Sequence, residues 1–414
     1  MTSPQLPAAS RKSARRRGSI HDPRDYPLQG SPLDRTTAEV RALSASDRDA
    51  YFTDVLTALG QEIRHDHMAL KTRIPFKKEM RDLRQLLTSP VDAFLLTDDR
   101  TYERNVLGKS AYGSTHTYWS RTQMWKMKTK MGDLQASLLR VDPKLVRMLA
   151  RQYRPTNATL VFANPLLIPS MLQFLQFQHG SGTAFPPFHA RFFADKYLPA
   201  EGGVVIDPCA GWGGRLLGTL CVPRDGAVRY VGCDPNRKNK FAYDGLTRRV
   251  TVWLKKEVRG TRSADLFYRP FEDWLRSAAA NRYMGNADLV ITSPPYFEAE
   301  NYDPSSTKQS ANRYTTYEKW RTKFYLPLVQ GAYDLLKPDG VFVLNIANVR
   351  EATRLEADAR RLAKQVGFVG DGFYKLAMSL HPSLRKAKKQ PHTVTVNGAL
   401  LKYEPVFVFR KPSA

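Results

Sequence analysis

Residues Ser293-Pro294-Pro295-Tyr296 place a hydroxyl, two prolines and an aromatic ring in four consecutive positions, directly after the apolar run Ala287-Asp288-Leu289-Val290-Ile291-Thr292. Two prolines fix the backbone and remove two N–H donors, leaving carbonyls free to project toward a ligand. An amine presented to such a loop donates to the Ser293 hydroxyl and the Pro294 carbonyl. Those bonds draw its lone pair out of conjugation and aim it at an electrophile. Tyr296 offers a flat face on which an aromatic base stacks, which requires that base to leave a duplex. An ordinary proline-rich turn is the competing reading, since four residues recur by chance.

Two earlier features belong with this loop. Asp207-Pro208-Cys209-Ala210-Gly211-Trp212-Gly213-Gly214 follows the apolar run Gly203-Val204-Val205-Ile206 and precedes Leu216-Leu217-Gly218-Thr219-Leu220. Glycines between a strand and a helix let the backbone approach a ligand closely. A nucleotide site and tight packing both fit, and the lack of a Walker Lys-Ser/Thr or a GxGxxG pattern argues against ATP and NAD. Asp234 ends the run Val228-Arg229-Tyr230-Val231-Gly232-Cys233. An acidic side chain there accepts from both hydroxyls of a ribose, although Pro235-Asn236 behind it also suits a turn-capping aspartate.

These residues need a scaffold that brings strand ends together. From about residue 200, short β-rich runs alternate with helical segments, the pattern of a βαβ sheet. Residues 203–207, 228–234, 287–292 and 340–346 read as strands, and Leu266-Phe267-Tyr268-Arg269 as a weaker one. Residues 404–410 read as a last, antiparallel strand. In such open α/β sheets ligands bind beyond the carboxyl ends of the strands, where all three motifs fall.

In order and spacing, Asp207 to Gly214, Asp234 and Ser293 to Tyr296 resemble the DNA amino-methyltransferases that act on cytosine N4 or adenine N6, phage-encoded members included, over roughly residues 160 to 410. The resemblance implies a Rossmann-like α/β sheet, S-adenosylmethionine as the cofactor, no metal, and DNA as the partner, its target base flipped from the duplex. It implies that Asp207, Pro208, Gly211 and Gly213 line the methionine end of the cofactor and that Asp234 holds the ribose. Glu272, in Phe271-Glu272-Asp273, falls where the family contacts adenine. Phe185, in Phe185-Pro186-Pro187-Phe188, resembles a further cofactor-contacting segment; a structural role for 271–273 and a linking turn at 185–188 compete. Ser293, Pro294, Pro295 and Tyr296 become the catalytic set. Ser at the first position favours cytosine N4 within the family, where Asp is commoner for adenine N6. An RNA or protein-glutamine amine methyltransferase and a non-catalytic DNA-binding protein that keeps the fold remain alternatives.

Composition agrees with a polyanionic partner. The 414-residue chain carries 64 Lys and Arg against 39 Asp and Glu, a net charge of +25, and such an excess is most often used on phosphate. Residues 1–45, with Arg11-Lys12-Ser13-Ala14-Arg15-Arg16-Arg17, read as a disordered basic arm that adds salt-sensitive affinity or is merely solvated. Residues 46–160 read as mainly helical and, with no recognition domain after Tyr296, as the duplex-recognition region. There Tyr112, His116, Tyr118, Trp119 and Trp125 alternate with Arg121, Lys126, Lys128 and Lys130. Residues 161–414 form the expected catalytic domain, with the polar stretch around Asn301, Tyr302, Gln309 and Ser310 as a lid and Arg385 to Lys389 as a basic loop. Three cysteines without a CxxC pair, no long apolar run and no secretion signal point to a cytoplasmic protein away from membranes.

Overall fold

The computed structural model describes residues 184–413 apart from 300–301, 304, 379–391 and 397–398, and before them chiefly 35–65, 76–92, 95–96, 105–108, 112–113 and 132–153. The run 11–17, the interleaved residues from His116 to Lys126 and the loop 385–389 lie outside the described residues. The chain divides into two compact units, Met1–Pro75 with Leu138–Leu175, and Phe76–Ser137 with Gln176–Ala414. Between the two parts of the first unit, the described helix Phe76–Thr88 and strand Asn105–Leu107 belong to the unit that holds the sheet.

The first unit is helical where described. Helix Thr37–Ala42 starts with a capping box in which Thr36 and Glu39 satisfy each other's backbone N–H groups. Helix Ala45–His65 buries Phe52, Val55, Leu56 and Leu59, and helix Pro143–Gln152 buries Leu145, Val146 and Leu149. Arg48 joins the segments by donating to the Arg41 and Leu43 carbonyls, both at 2.8 Å, and to the Ala150 carbonyl at 3.4 Å.

The second unit is built on one sheet. Its elements are α1 (Phe76–Thr88), β1 (Asn105–Leu107), α2 (Pro187–Tyr197), β2 (Gly202–Asp207), α3 (Gly214–Leu220), β3 (Ala227–Cys233), α4 (Lys240–Glu257) and β4 (Arg262–Phe267). There follow α5 (Phe271–Leu275), β5 (Ala287–Thr292), α6 (Leu326–Leu335), β6 (Leu336–Asn345), α7 (Leu355–Val366), β7 (Val369–Met378), β8 (Thr393–Val396) and β9 (Ala399–Arg410). The strand order is β1-β7-β9-β6-β5-β2-β3-β4, with β8 pairing β9. Strands β2 to β6 are mutually parallel, and β9 runs antiparallel to both β6 and β7. The order reverses between β2 and β5, which opens a crevice at the carboxyl ends of those two strands.

Period-2 alternation sorts side chains to the two faces of this sheet. Ile206, Val231, Val290 and Phe342 join Trp274, Trp320 and Leu328 on one face. Val205, Leu289 and Val343 join Phe192 and Phe193 on the other. Next to these, Leu83, Leu86 and Leu87 of α1 pack with Leu216 and Leu217 of α3, which ties α1 to the sheet. Helices α2 and α3 touch so closely that a methyl group at Gly218 would overlap the Pro187 carbonyl oxygen.

Four expected strands and the antiparallel last strand lie where their apolar runs place them. The weak third strand is Arg262–Phe267 rather than 266–269; it is an edge strand whose partly exposed Ser263 and Asp265 dilute the apolar signal. Strand β7 escaped the sequence reading, since Val369-Gly370-Asp371-Gly372 carries turn residues. It is held by pairing with β9 along its length and with β1 through Asn105↔Tyr374. No helix among the described residues is long and apolar enough to cross a membrane.

Candidate active site

The loop after β2 is anchored from beneath by Asp207. Its buried carboxylate accepts from Arg215 Nε at 2.7 Å, the Tyr230 hydroxyl at 2.7 Å, the Cys209 N–H at 3.1 Å and the Thr292 hydroxyl at 3.1 Å. Arg215 also donates to the Cys209 carbonyl and lies over the Phe185 ring, 5.3 Å from its centroid. Burial alone would lower the charge on this guanidinium, but Asp207 beside it reverses the balance and holds it charged. Because Thr292 precedes Ser293, the Asp207–Thr292 bond fixes the glycine loop relative to the Ser-Pro-Pro-Tyr loop.

Above this anchor, Gly211 and Gly213 adopt φ of 64° and 87°, left-handed values that a side chain would penalise. The Gly211 N–H donates to Asp234 Oδ2 at 2.8 Å. The Asn236 N–H donates to Asp234 Oδ1, also at 2.8 Å. The Gly211 carbonyl accepts from Asn239 Nδ2 at 3.1 Å and from the Tyr243 hydroxyl. Asp234 caps its own turn, the competing reading of the sequence, and also lines the cavity. Burial outweighs these two N–H donors and pushes its carboxyl up to about 6.

The cavity has a volume of about 400 Å³, within the roughly 300–1,000 Å³ of small-molecule sites. Its walls include Pro208, Gly211, Asp234, Glu272, Ser293 and Pro295. Glu272 Oε1 accepts from Arg313 at 3.0 Å and from the Tyr314 hydroxyl at 3.1 Å. Glu272 Oε2 is buried and has no hydrogen-bond partner among the described residues. Burial raises the carboxyl of Glu272, with Arg313 opposing the rise. A buried acceptor without a partner costs free energy.

The other expected site residues are placed differently. Asp207, Gly213, Phe185, Pro294 and Tyr296 do not line the cavity. For Asp207 the reason is saturation: Arg215, Tyr230, Cys209 and Thr292 take up its carboxylate below the loop, which makes it an anchor rather than a wall. Gly213 caps α3 and faces Leu246 and Tyr243 of α4. Phe185 packs beneath the loop, under Arg215 and edge-on to His189. Tyr296 is only 8% exposed, within the apolar cluster, and its hydroxyl donates to the Asn345 carbonyl at 3.4 Å. Phe297 directly after it has φ of 54°, a strained value for a bulky residue and of a kind that concentrates at functional sites.

Several cavity residues escaped the sequence reading. A π-helical turn over Arg321–Tyr325 brings Phe324 to the wall, and such turns are frequent at functional sites. Asn236, Arg237 and Lys238 follow Asp234 around the rim; their position after a strand end is the signal that would have found them. The polar stretch anticipated as a lid contributes Tyr302, Gln309 and Ser310. Asp303 organises it by accepting from the Ser305 N–H at 3.1 Å and from Lys238 Nζ at 3.1 Å. These bonds and their charges lower the carboxyl of Asp303 below its ordinary range, the Ser305 hydroxyl contributing most. The Tyr302 ring meets Trp212 of the glycine loop edge-on, 5.8 Å between centroids.

Counted from β2, the sheet reads 3-2-1-4-5-7-6 with the seventh strand reversed, and its glycine loop, acidic strand end and proline-rich loop meet at the switch point. That is a Rossmann-like, mainly parallel α/β sheet. No family model matches the chain, and a search of curated proteins finds no match. Among solved structures the chain is similar to a possible exported protein from Bordetella parapertussis, at 15% identity over 82% of this chain and 99% of that one, with a TM-score of 0.34. It is also similar to an S-adenosylmethionine-dependent O-methyltransferase from Thermotoga maritima, at 12% identity over 57% and 70% of the two chains, TM-score 0.31. A third is the magnesium protoporphyrin IX methyltransferase of Synechocystis with bound S-adenosylmethionine, at 12% identity over 57% and 89%, TM-score 0.32. Similarity at this level carries no argument about what this chain binds or modifies.

Proposed function

We propose that this chain is an S-adenosylmethionine-dependent methyltransferase acting on an exocyclic amine of a DNA base, cytosine N4 ahead of adenine N6. The observation that carries the reading is one cavity whose walls hold Gly211, Asp234 and Glu272 together with Ser293 and Pro295. Residues expected at a cofactor site and at an amine-presenting loop thus border one cavity, which is what direct transfer requires.

The residues fit the cofactor. Asp234 offers a carboxylate for a ribose diol, and Glu272 puts a second acidic side chain on the same wall. Two acidic groups inside the cavity also suit a ligand that carries a sulfonium and an ammonium. The cofactor supplies an activated methyl group; this chain supplies position, dryness and polarisation of the amine. Ser293, on the cavity wall, accepts an amine hydrogen and directs the lone pair toward the cavity. Phe324 and Phe271, both buried, exclude water from that space. The preference for cytosine rests on serine in place of aspartate at the head of the loop, and the net charge of +25 supports a polyanionic substrate.

Incubation with isotopically labelled S-adenosylmethionine and DNA, followed by mass spectrometry of the nucleosides, tests the reading. N4-methylcytosine is expected; N6-methyladenine would correct the base. Label appearing only in RNA or protein, or cofactor binding without transfer, would overturn the DNA-methylation assignment. Failure to bind the cofactor would leave a scaffold without catalysis.

A further inference from the structure

The most exposed large apolar side chain among the described residues is Phe241, at 77%. It lies in the first turn of α4, two positions after Asn239, and Arg237, Lys238 and Asn239 all line the cavity. The opposite side of that turn faces inward. Tyr243 is buried and donates to the Gly211 carbonyl, and Asn239 does the same. Two residues turn a helix by about 200°, so Phe241 projects away from the glycine loop at the rim of the cavity.

A stripe at three- and four-residue spacing runs on from Phe241 through Asp244, Arg248, Val252 and Lys255, all exposed, and Arg259 follows two residues past the helix end. The acid in it is neutralised by Lys240, 2.5 Å away. From Arg237 to Arg259 the chain carries eight Lys or Arg against two Asp or Glu. The 18 residues of α4 span about 27 Å, the rise of roughly eight base pairs. Cations therefore predominate along this surface, and a solvated charge run would not explain an exposed phenylalanine at its head.

We infer that this face of α4 is the track along which a DNA strand lies while one of its bases occupies the cavity. Phe241 stacks on the nucleotide next to the extruded base, filling the gap that extrusion leaves, and Arg248 and Lys255 contact phosphates of the same strand. The inference rests on the reading of the cavity as a DNA-base methyltransferase site and adds the surface that binds the substrate strand.

Fluorescence anisotropy of the full chain with a labelled duplex carrying one mismatched cytosine tests it, at several salt concentrations. Phe241→Ala is expected to weaken binding by about 5- to 150-fold, the range for loss of one base–aromatic stack. The slope of log affinity against log salt should stay unchanged, because no phosphate contact is lost. Phe241→Trp should restore affinity. Arg248→Ala and Lys255→Ala should each lower that slope by about 1. An unchanged thermal midpoint for Phe241→Ala confirms that the exposed side chain was not holding the fold. Equal affinity of wild type and Phe241→Ala overturns the inference, as does a loss that Phe241→Trp fails to repair, or no DNA binding by the wild type. DNA binding that depends on Phe241, without methyl transfer, sustains the inference and defeats the proposed reaction. Methyl transfer with binding indifferent to Phe241 does the reverse.

Discussion

Asp234 makes cofactor binding sensitive to pH, in a direction the structure sets. Its carboxyl is pushed from 3.8 to about 6 because burial outweighs the N–H bonds from Gly211 and Asn236. A folded-state value above the unfolded one means that folding favours the neutral acid. The stability this group contributes is full below about 3.8 and is lost as pH rises through about 6, a swing of about 3 kcal/mol. Ribose hydroxyls donate best to the ionised form, so binding runs the other way. With a value near 6, about 9% of Asp234 is ionised at pH 5 and about 91% at pH 7, so affinity should rise up to about tenfold across that interval. Calorimetric titration with S-adenosylhomocysteine at pH 5, 6 and 7 reads this, as does a thermal shift by the ligand that grows over the same range. Glu272, raised by burial in the same sense, lines the same cavity, and Asp207 next to the loop is clamped to Arg215. The decisive comparison is therefore wild type against Asp234→Asn, which should bind more weakly and lose most of the pH step. An affinity that is flat from pH 5 to 7, or a full step retained by Asp234→Asn, would refute the assignment of the ribose to this carboxylate.

Other expectations follow from the anchor and the loops. Arg215→Met leaves the buried Asp207 carboxylate without its cation and should cost about 3–5 kcal/mol, seen as a lowered thermal midpoint with cofactor affinity lost alongside. Gly214→Ala would drive a methyl group into the Phe185 carbonyl oxygen; an overpacking cost of about 1–3 kcal/mol is expected by denaturant titration, and an unchanged midpoint would show that the two segments separate freely. Ser293→Ala should slow methyl transfer about tenfold, the equivalent of about 1.4 kcal/mol, with cofactor affinity unchanged by calorimetry. Tyr296→Phe keeps the ring and should retain most of the turnover, whereas Tyr296→Ala should lose more than Ser293→Ala and also unfold earlier, since the ring is 8% exposed.

The sequence alone determined the parallel strands and the order of the motifs, because both are written locally. Buried strands read as apolar runs, and the glycine loop, Asp234 and Ser293 to Tyr296 each sit at the end of one. Strands β1 and β7 were illegible, since three residues in one case and a Gly-Asp-Gly start in the other become strand only through pairing with distant partners. The same limit explains the division of the chain, where α1 and β1 join the unit that holds the sheet without any boundary in composition. Within the site, residue types named the chemistry but not the side on which each group acts. Asp207 and Asp234 are alike in sequence, each an acid at a strand end. Tertiary structure turns one down onto Arg215, Tyr230 and Thr292 as an anchor and leaves the other on the cavity wall, a distinction set by partners 8, 23 and 85 residues away. Phe324 owes its place on the wall to packing of the same long-range kind. A carboxylate's function depends on which donors surround it, and those donors come from other strands.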